Sequence, residues 1–253
     1  MGILIGSTGF VGGHLARSHQ FDVQVHRPNL TEIAGLATDL LVCAGLPAEK
    51  WRANKEPSAD WANMAALAQA LATVKAQRAV LISTIDVYQP AVGVDETSPV
   101  QYNGEGAYGA HRAWFEAFFQ LHFRDSLVLR LPGLFAADLR KNLIYDLLHG
   151  RSDQWVGVNP ASRFQFFDVT KTWDVLGWAL ASGIGLLNVS SERVTAQDVA
   201  DLFSVTLTSD SPAVSYDMRS IHADAFGGTD GYLFSRESVL RGILALREDG
   251  VQV

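Results

Sequence analysis

The residues of this sequence whose type and spacing could do chemistry begin at its sixth position, with Gly6, Gly9 and Gly12. They follow the apolar run Gly2-Ile3-Leu4-Ile5 and precede His14-Leu15-Ala16-Arg17, so the stretch reads as strand, turn and helix. Such a turn presents free backbone N–H groups and the positive end of a helix dipole, and glycine lets the backbone come close to phosphates. A pyrophosphate suits that place. The spacing differs from the more general G-x-G-x-x-G, and a glycine triplet by itself is equally the mark of a tight turn. Its position between strand and helix points to a dinucleotide, bound by Gly6, Thr8, Gly9, Phe10, Val11 and Gly12. The end of the second strand, where a carboxylate usually accepts from the adenosine ribose, carries His26-Arg27 instead. A guanidinium pairs with a 2′-phosphate that a carboxylate would repel, so Arg27 favours NADP, with NAD the second choice. The plain alternative is a solvated arginine at a strand end.

The elements that must position these residues form an alternating series. Strands are expected at Gly2–Ile5, Phe21–His26, Leu40–Ala44, Ala79–Ile82 and Leu127–Arg130, and helices at Asp60–Lys75 and Tyr108–Phe123. Apolar strands alternating with helices imply a doubly wound, Rossmann-like α/β fold with a parallel sheet covered on both faces. The stretch between Val25 and Leu40 is too short for a further strand and helix, so adenine recognition must differ or the sheet is trimmed by one strand. After Arg130-Leu131-Pro132-Gly133 the pattern loosens. Helices at Leu143–Leu148, Val169–Ala181 and Ala196–Phe203, separated by polar pieces, suggest a smaller mixed C-terminal lobe. The expected division is 1–136 with about 163–190 for the dinucleotide domain, and about 137–162 with 191–253 for the substrate lobe.

Composition narrows the function. With 20 basic against 27 acidic residues among 253, the net charge of −7 argues against a nucleic-acid footprint. No apolar run approaches the roughly 20 residues that cross a bilayer, and the N-terminus lacks a signal-peptide pattern, so a cytoplasmic protein without membrane contact is expected. Cys43 is the single cysteine, which rules out a disulfide framework or a cysteine metal cage, and no metal is expected.

Three segments carry a family resemblance. Gly6-Ser7-Thr8-Gly9-Phe10-Val11-Gly12, Ile82-Ser83-Thr84-Ile85-Asp86-Val87-Tyr88 and Tyr108-Gly109-Ala110-His111-Arg112, with Tyr108 falling 24 residues after Thr84, resemble the extended short-chain dehydrogenase/reductases. In that group these are the T-G-x-x-G-x-x-G turn, a strand ending S-[ST]-x-x-V-Y, and Y-x-x-x-K. Weaker echoes lie in Cys43-Ala44-Gly45, Asn63, Asp95-Glu96 with Pro99, Phe166-Phe167-Asp168-Val169 and Leu187-Asn188-Val189.

The resemblance implies hydride transfer between a sugar carbon and a nicotinamide, with Tyr108 as acid/base, Thr84 holding the reacting oxygen, and Ala44 and Gly45 beside the coenzyme. A tyrosine, with pKa about 10, works as a base only when a nearby cation favours its phenolate. The family uses Lys for this and for the nicotinamide ribose; here the position is Arg112, longer, planar and never neutral. His111 reads as a surface or core histidine. Ile85 directly after Thr84 removes the acidic pair that dehydratases carry there, so dehydration is disfavoured. On the substrate side the resemblance assigns Asp86, Asn142, Arg163 and Arg219 to a nucleotide-linked sugar, with Arg140-Lys141 a solvated face or a diphosphate contact. Trp51 and Trp61 read as core residues or, in the alternative, as stacking surfaces for a base or sugar. A 4-ketoreductase is favoured, since Arg27 suggests exchangeable NADPH. An epimerase is the alternative, and a non-catalytic NAD(P)-binding sensor or scaffold follows if Arg112 has ended turnover. Related folds often pair as homodimers through two helices, one bearing the tyrosine.

Overall fold

The computed structural model describes residues 1–104 and 106–250. Strands β1 (Gly2–Ile5), β2 (Val23–Val25), β3 (Ala37–Cys43) and β4 (Lys75–Thr84) run parallel, with Ile5 opposite both Val25 and Cys43, and Cys43 opposite Leu81. Ile3, Leu4, Leu41, Val42, Val80 and Leu81 are all fully buried, as expected of strands covered on both faces. Among the described residues the sheet has six strands, ordered Leu186–Asn188, Ser126–Leu131, β4, β3, β1, β2. Only a 3₁₀ turn, Arg27–Ile33, and a short loop separate β2 from β3, so β2 is left as the edge strand.

Helices α1 (Phe10–Ser18), α2 (Lys50–Lys55), α3 (Pro57–Leu71) and α4 (Ala107–His122) belong to the same unit, as does helix Thr172–Ala181. α3 opens on Pro57, whose missing N–H is no loss in a first turn, and ends at Leu71, earlier than its apolar pattern suggested. Lys75 already pairs with Ala37, so the sheet claims the residues beyond. Asp60, Met64, Leu67 and Leu71 form the buried stripe of α3; Tyr108, Arg112, Phe115 and Phe119 form that of α4. The helical period that packs α4 on the core therefore also buries the two residues with chemistry.

The chain divides into two units. The first contains residues 1–89, 98–130 and 170–187; the second contains 90–97, 131–169 and 188 onward. Residues 90–97, 131–136, 163–169 and 188–190, expected with the first, join the second. Val92–Val94 pairs with Asp217–Met218, and Gly133–Phe135 with Phe166–Asp168, which accounts for the transfer of the longer segments. Glu105 and residues 251–253 of the expected substrate lobe lie outside the described residues.

Within the second unit, helix Ala196–Asp201 starts from a capping box. Thr195 Oγ1 accepts from Asp198 N–H at 3.0 Å, and Asp198 Oδ2 accepts from Thr195 N–H at 2.8 Å. Arg236 adds an ion pair to Asp198 at 2.8 Å. Partial burial pushes the Asp198 carboxyl up, but the Thr195 bonds and Arg236 outweigh it and hold it below the usual range. Thr195→Ala should cost about 1 kcal/mol, read as a lower denaturant midpoint at unchanged slope.

Candidate active site

Because β1, β3 and β4 are parallel, the turns that follow them share one edge of the sheet. The first turn is built from glycine for steric reasons. Gly6 has φ +87, and a Cβ there would lie 2.3 Å from the Ala44 carbonyl oxygen; a Cβ on Gly12 would lie 2.0 Å from the Gly6 oxygen. Gly6 N–H donates to Val25 O at 2.7 Å and Ala44 N–H to Ile5 O at 2.8 Å, tying the turns after β1 and β3 to the strands. Gly9 is the N-cap of α1 and no side chain caps that end, which leaves its first-turn N–H groups for an anion. Thr8 and Gly9 are exposed, Phe10 and Val11 half-buried, and Gly45 continues the turn from Ala44. Arg27 is exposed at the C-terminal end of β2. A dinucleotide fits this cradle: the backbone is open where phosphate would approach and closed where a side chain would be needed.

Thr84 ends β4 and Tyr108 lies in the first turn of α4, and the structure brings them together: the Thr84 hydroxyl lies close enough to the Tyr108 phenol to favour its ionised form. Tyr108 is 8% exposed. Asn54 of α2 holds it from the other end of the residue, its Oδ1 accepting from Tyr108 N–H at 2.9 Å. Burial pushes the phenol above its ordinary value; Arg112, the Thr84 hydroxyl and Lys50 pull it down, Asp86 pushes it up, and burial prevails. The resting phenol is therefore a proton donor at neutral pH.

Arg112 lies beside Tyr108 and shares its guanidinium with Asp60. Its guanidinium lies over the Tyr108 ring, 4.0 Å from the centroid, but its Nη groups donate to Asp60, at 2.5 Å to Oδ2 and 2.9 Å to Oδ1. Nη2 also donates to Pro47 O at 2.6 Å. Nε is buried with no hydrogen-bond partner. His111 Nδ1 meets the same carboxylate at 2.8 Å, so His111 is a partly buried partner of Asp60.

Sequence reasoning missed Asp60, although a carboxylate at the head of the stripe Met64, Leu67, Leu71 is a signal that a buried cation must answer. It also missed Lys50, which lies in a polar segment without periodicity, and a buried network behind the site. Ser83 Oγ donates to Glu116 Oε1 at 2.5 Å, Arg130 Nη2 to Glu116 Oε2 at 2.6 Å, and Arg130 Nη1 to the Tyr88 hydroxyl at 2.5 Å. That network fastens the end of β4 to α4, and so Thr84 to Tyr108.

Asp86 pairs with Lys50 at 2.6 Å, and its N–H donates to Thr84 Oγ1 at 3.2 Å. Asn142, Arg163 and Arg219 belong to the second unit. Asn142 has φ +115 and caps helix Leu143–Leu148: its Oδ1 accepts from Ile144 and Tyr145 N–H, and its Nδ2 donates to Leu134 O. That side chain is engaged in structure. Arg163 is exposed on the two-residue strand Arg163–Phe164, and Arg219 pairs with the buried Asp217 at 3.3 Å. Trp51 and Trp61, 64% and 46% exposed, are surface residues. Among the described residues no cluster of His, Cys, Asp and Glu could hold a metal, and no helix is long and apolar enough to cross a membrane.

No protein-family model matches the sequence, and no curated protein is similar enough in sequence to match it. Solved structures do match. A dTDP-4-dehydrorhamnose reductase from Yersinia enterocolitica superposes with a TM-score of 0.72 at 14% identity, covering 97% of this chain and 99% of that one. RMD from Pseudomonas aeruginosa, complexed with NADPH, gives 0.71 at 18% identity over 98% and 99%. UDP-glucose 4-epimerase from Thermotoga maritima, with UDP-glucose, gives 0.73 at 12% identity over the full length of both chains. The chain thus has the Rossmann-like α/β fold of these proteins along essentially its whole length.

Proposed function

We propose that the chain is an NAD(P)-dependent oxidoreductase of the extended short-chain dehydrogenase/reductase type that acts on a nucleotide-linked sugar, with 4-ketoreduction favoured. The observation that carries this reading is the buried Tyr108 phenol, beside Thr84 on the same sheet edge as the glycine turn. When bound, the coenzyme supplies the hydride from its nicotinamide ring. Tyr108, held protonated by burial, gives its proton to the carbonyl oxygen as the carbon is reduced. Thr84 orients that oxygen. Gly6, Thr8, Gly9, Phe10, Val11 and Gly12 take the pyrophosphate, Ala44 and Gly45 line the neighbouring turn, and Arg112, over the Tyr108 ring, adds its positive charge beside the coenzyme. Asp86, Arg163 and Arg219 serve the sugar nucleotide, and Asn142 shapes the helix that resembles the family's substrate helix. The reading places the protein in the cytoplasm and, through two helices of which α4 is one, in a homodimer. It is supported by the fold shared with the dTDP-4-dehydrorhamnose reductase above and with RMD, which holds NADPH.

A second reading has an observation in its favour: because Asp60 consumes both Nη groups of Arg112, the protein is a coenzyme sensor without turnover. Titrating the protein with NADPH and NADH, then offering a panel of nucleotide-linked 4-keto sugars, separates the two. Turnover eliminates the sensor, binding without turnover supports it, and no binding of either coenzyme removes both. Retention of NAD through purification would favour epimerisation. Arg27→Ala should weaken NADPH about tenfold and leave NADH nearly unchanged, as loss of one charge-assisted phosphate contact requires. Fluorescence titration of both coenzymes measures it.

A further inference from the structure

A second charge pair belongs to the site, and its cation has had no part in the chemistry so far. Lys50 Nζ donates to Asp86 Oδ1 at 2.6 Å, and Asp86 N–H donates to Thr84 Oγ1, the hydroxyl that meets Tyr108. Asp86 is pressed against the start of α4, since a Cβ on Gly109 would lie 1.9 Å from the Asp86 carbonyl oxygen. The helix that carries Lys50 reaches Tyr108 as well, through Asn54. Arg112, in contrast, answers Asp60 with both Nη groups, so much of its charge is balanced between α3 and α4.

We propose that Lys50 is a positioning residue for the proposed reaction: paired with Asp86, it cancels that carboxylate's field at the Tyr108–Thr84 hydroxyl pair, a task that Arg112, committed to Asp60, leaves partly unfilled. The inference rests on Tyr108 acting as the proton donor. A buried phenol feels neighbouring charges with less screening than one in water. From α4 it faces Arg112, from the turn after β4 Asp86, from the end of β4 the Thr84 hydroxyl, and from α2 Lys50; Asp60 and His111 act on it through Arg112. Arg112 and Lys50 favour the phenolate and Asp86 opposes it. Without Lys50 the Asp86 charge stands unbalanced, and Tyr108 holds its proton more tightly.

Difluorotyrosine at position 108 brings the ionisation into a pH range where the protein stays folded, and fluorine NMR reads it in the ligand-free protein. Lys50→Met should raise the midpoint by about 1 pH unit. Lys50→Arg, which keeps the cation, should restore it, and Lys50→Met combined with Asp86→Asn should return it close to the parent. The side chain of Lys50 is 49% exposed, so these variants fold, and a thermal melt checks that. An unchanged midpoint in Lys50→Met overturns the inference, as does a double variant that stays as high as the single one. In the same preparations the rate of alcohol oxidation at neutral pH should fall about tenfold in Lys50→Met, with KM for the coenzyme unchanged. If NADPH binding and sugar turnover are absent in the parent while the midpoint moves as expected, the proposed function fails and the charge pair stands; if turnover is present and the midpoint is fixed, the opposite holds.

Discussion

Tyr108→Phe should lower turnover about a thousandfold while coenzyme affinity and thermal stability stay near those of the parent protein. The substitution removes one oxygen. It leaves the ring under the Arg112 guanidinium, 4.0 Å from its centroid, and leaves the backbone N–H that Asn54 accepts. What disappears is the proton that burial holds on the phenol, together with the hydroxyl that faces Thr84. Positioned proton transfer contributes roughly 10² to 10⁴ in rate, so an effect of this size separates an acid from a packing residue. Single-turnover consumption of NADPH with a 4-keto sugar nucleotide measures it, beside a binding titration. A variant that keeps the parent's rate would mean that another group supplies the proton.

The largest expected effect on stability lies one helix away, at Asp60. Arg112 is 1% exposed and draws on both oxygens of a carboxylate that is itself buried. Asp60→Ala therefore leaves a guanidinium in the interior without its counter-charge, which should cost about 3 to 5 kcal/mol. Removing both charges, with Asp60→Leu and Arg112→Met, should recover most of that loss, because the expense lies in the unpaired ion. Denaturant unfolding of the two variants and the parent closes the comparison.

The same pair makes stability depend on pH. Burial pushes the Asp60 carboxyl up, but hydrogen bonds and charge from Arg112 and His111 outweigh it, so its folded value lies below the ordinary carboxylate value. A lowered folded value means that the stabilisation is present above the unfolded pKa, about 4, and is lost as pH falls through the folded value. Melting temperatures across the acid range should drop less steeply in Asp60→Asn than in the parent. An equally steep acid loss in that variant would place the sensitive group elsewhere.

Both substitutions bear on one question, how much of this molecule its amino-acid order decides. The alternation of apolar strands with helices was legible because strands buried on both faces must be continuous apolar runs, and Leu41-Val42-Cys43 and Val80-Leu81-Ile82 are such runs. The glycine turn was legible for a similarly local reason. Only a residue without Cβ can hold φ +87 at Gly6 against Ala44, or pass the Gly6 carbonyl at Gly12. Thr84 and Tyr108 could be paired from their motifs, each of which lies within a few residues.

Tertiary structure decided what no window of sequence contains. Asp60 and Arg112 stand 52 positions apart, and Lys50 and Asp86 stand 36 apart, so neither pair leaves a periodic trace. Residues 90–97 join the second unit because Val92–Val94 finds its partner strand at Asp217–Met218, far along the chain. Composition and spacing determine which residues are able to react. Which charges face Tyr108, and hence how tightly it holds its proton, is set by distant segments brought together at one buried phenol, where low polarity lets each charge count.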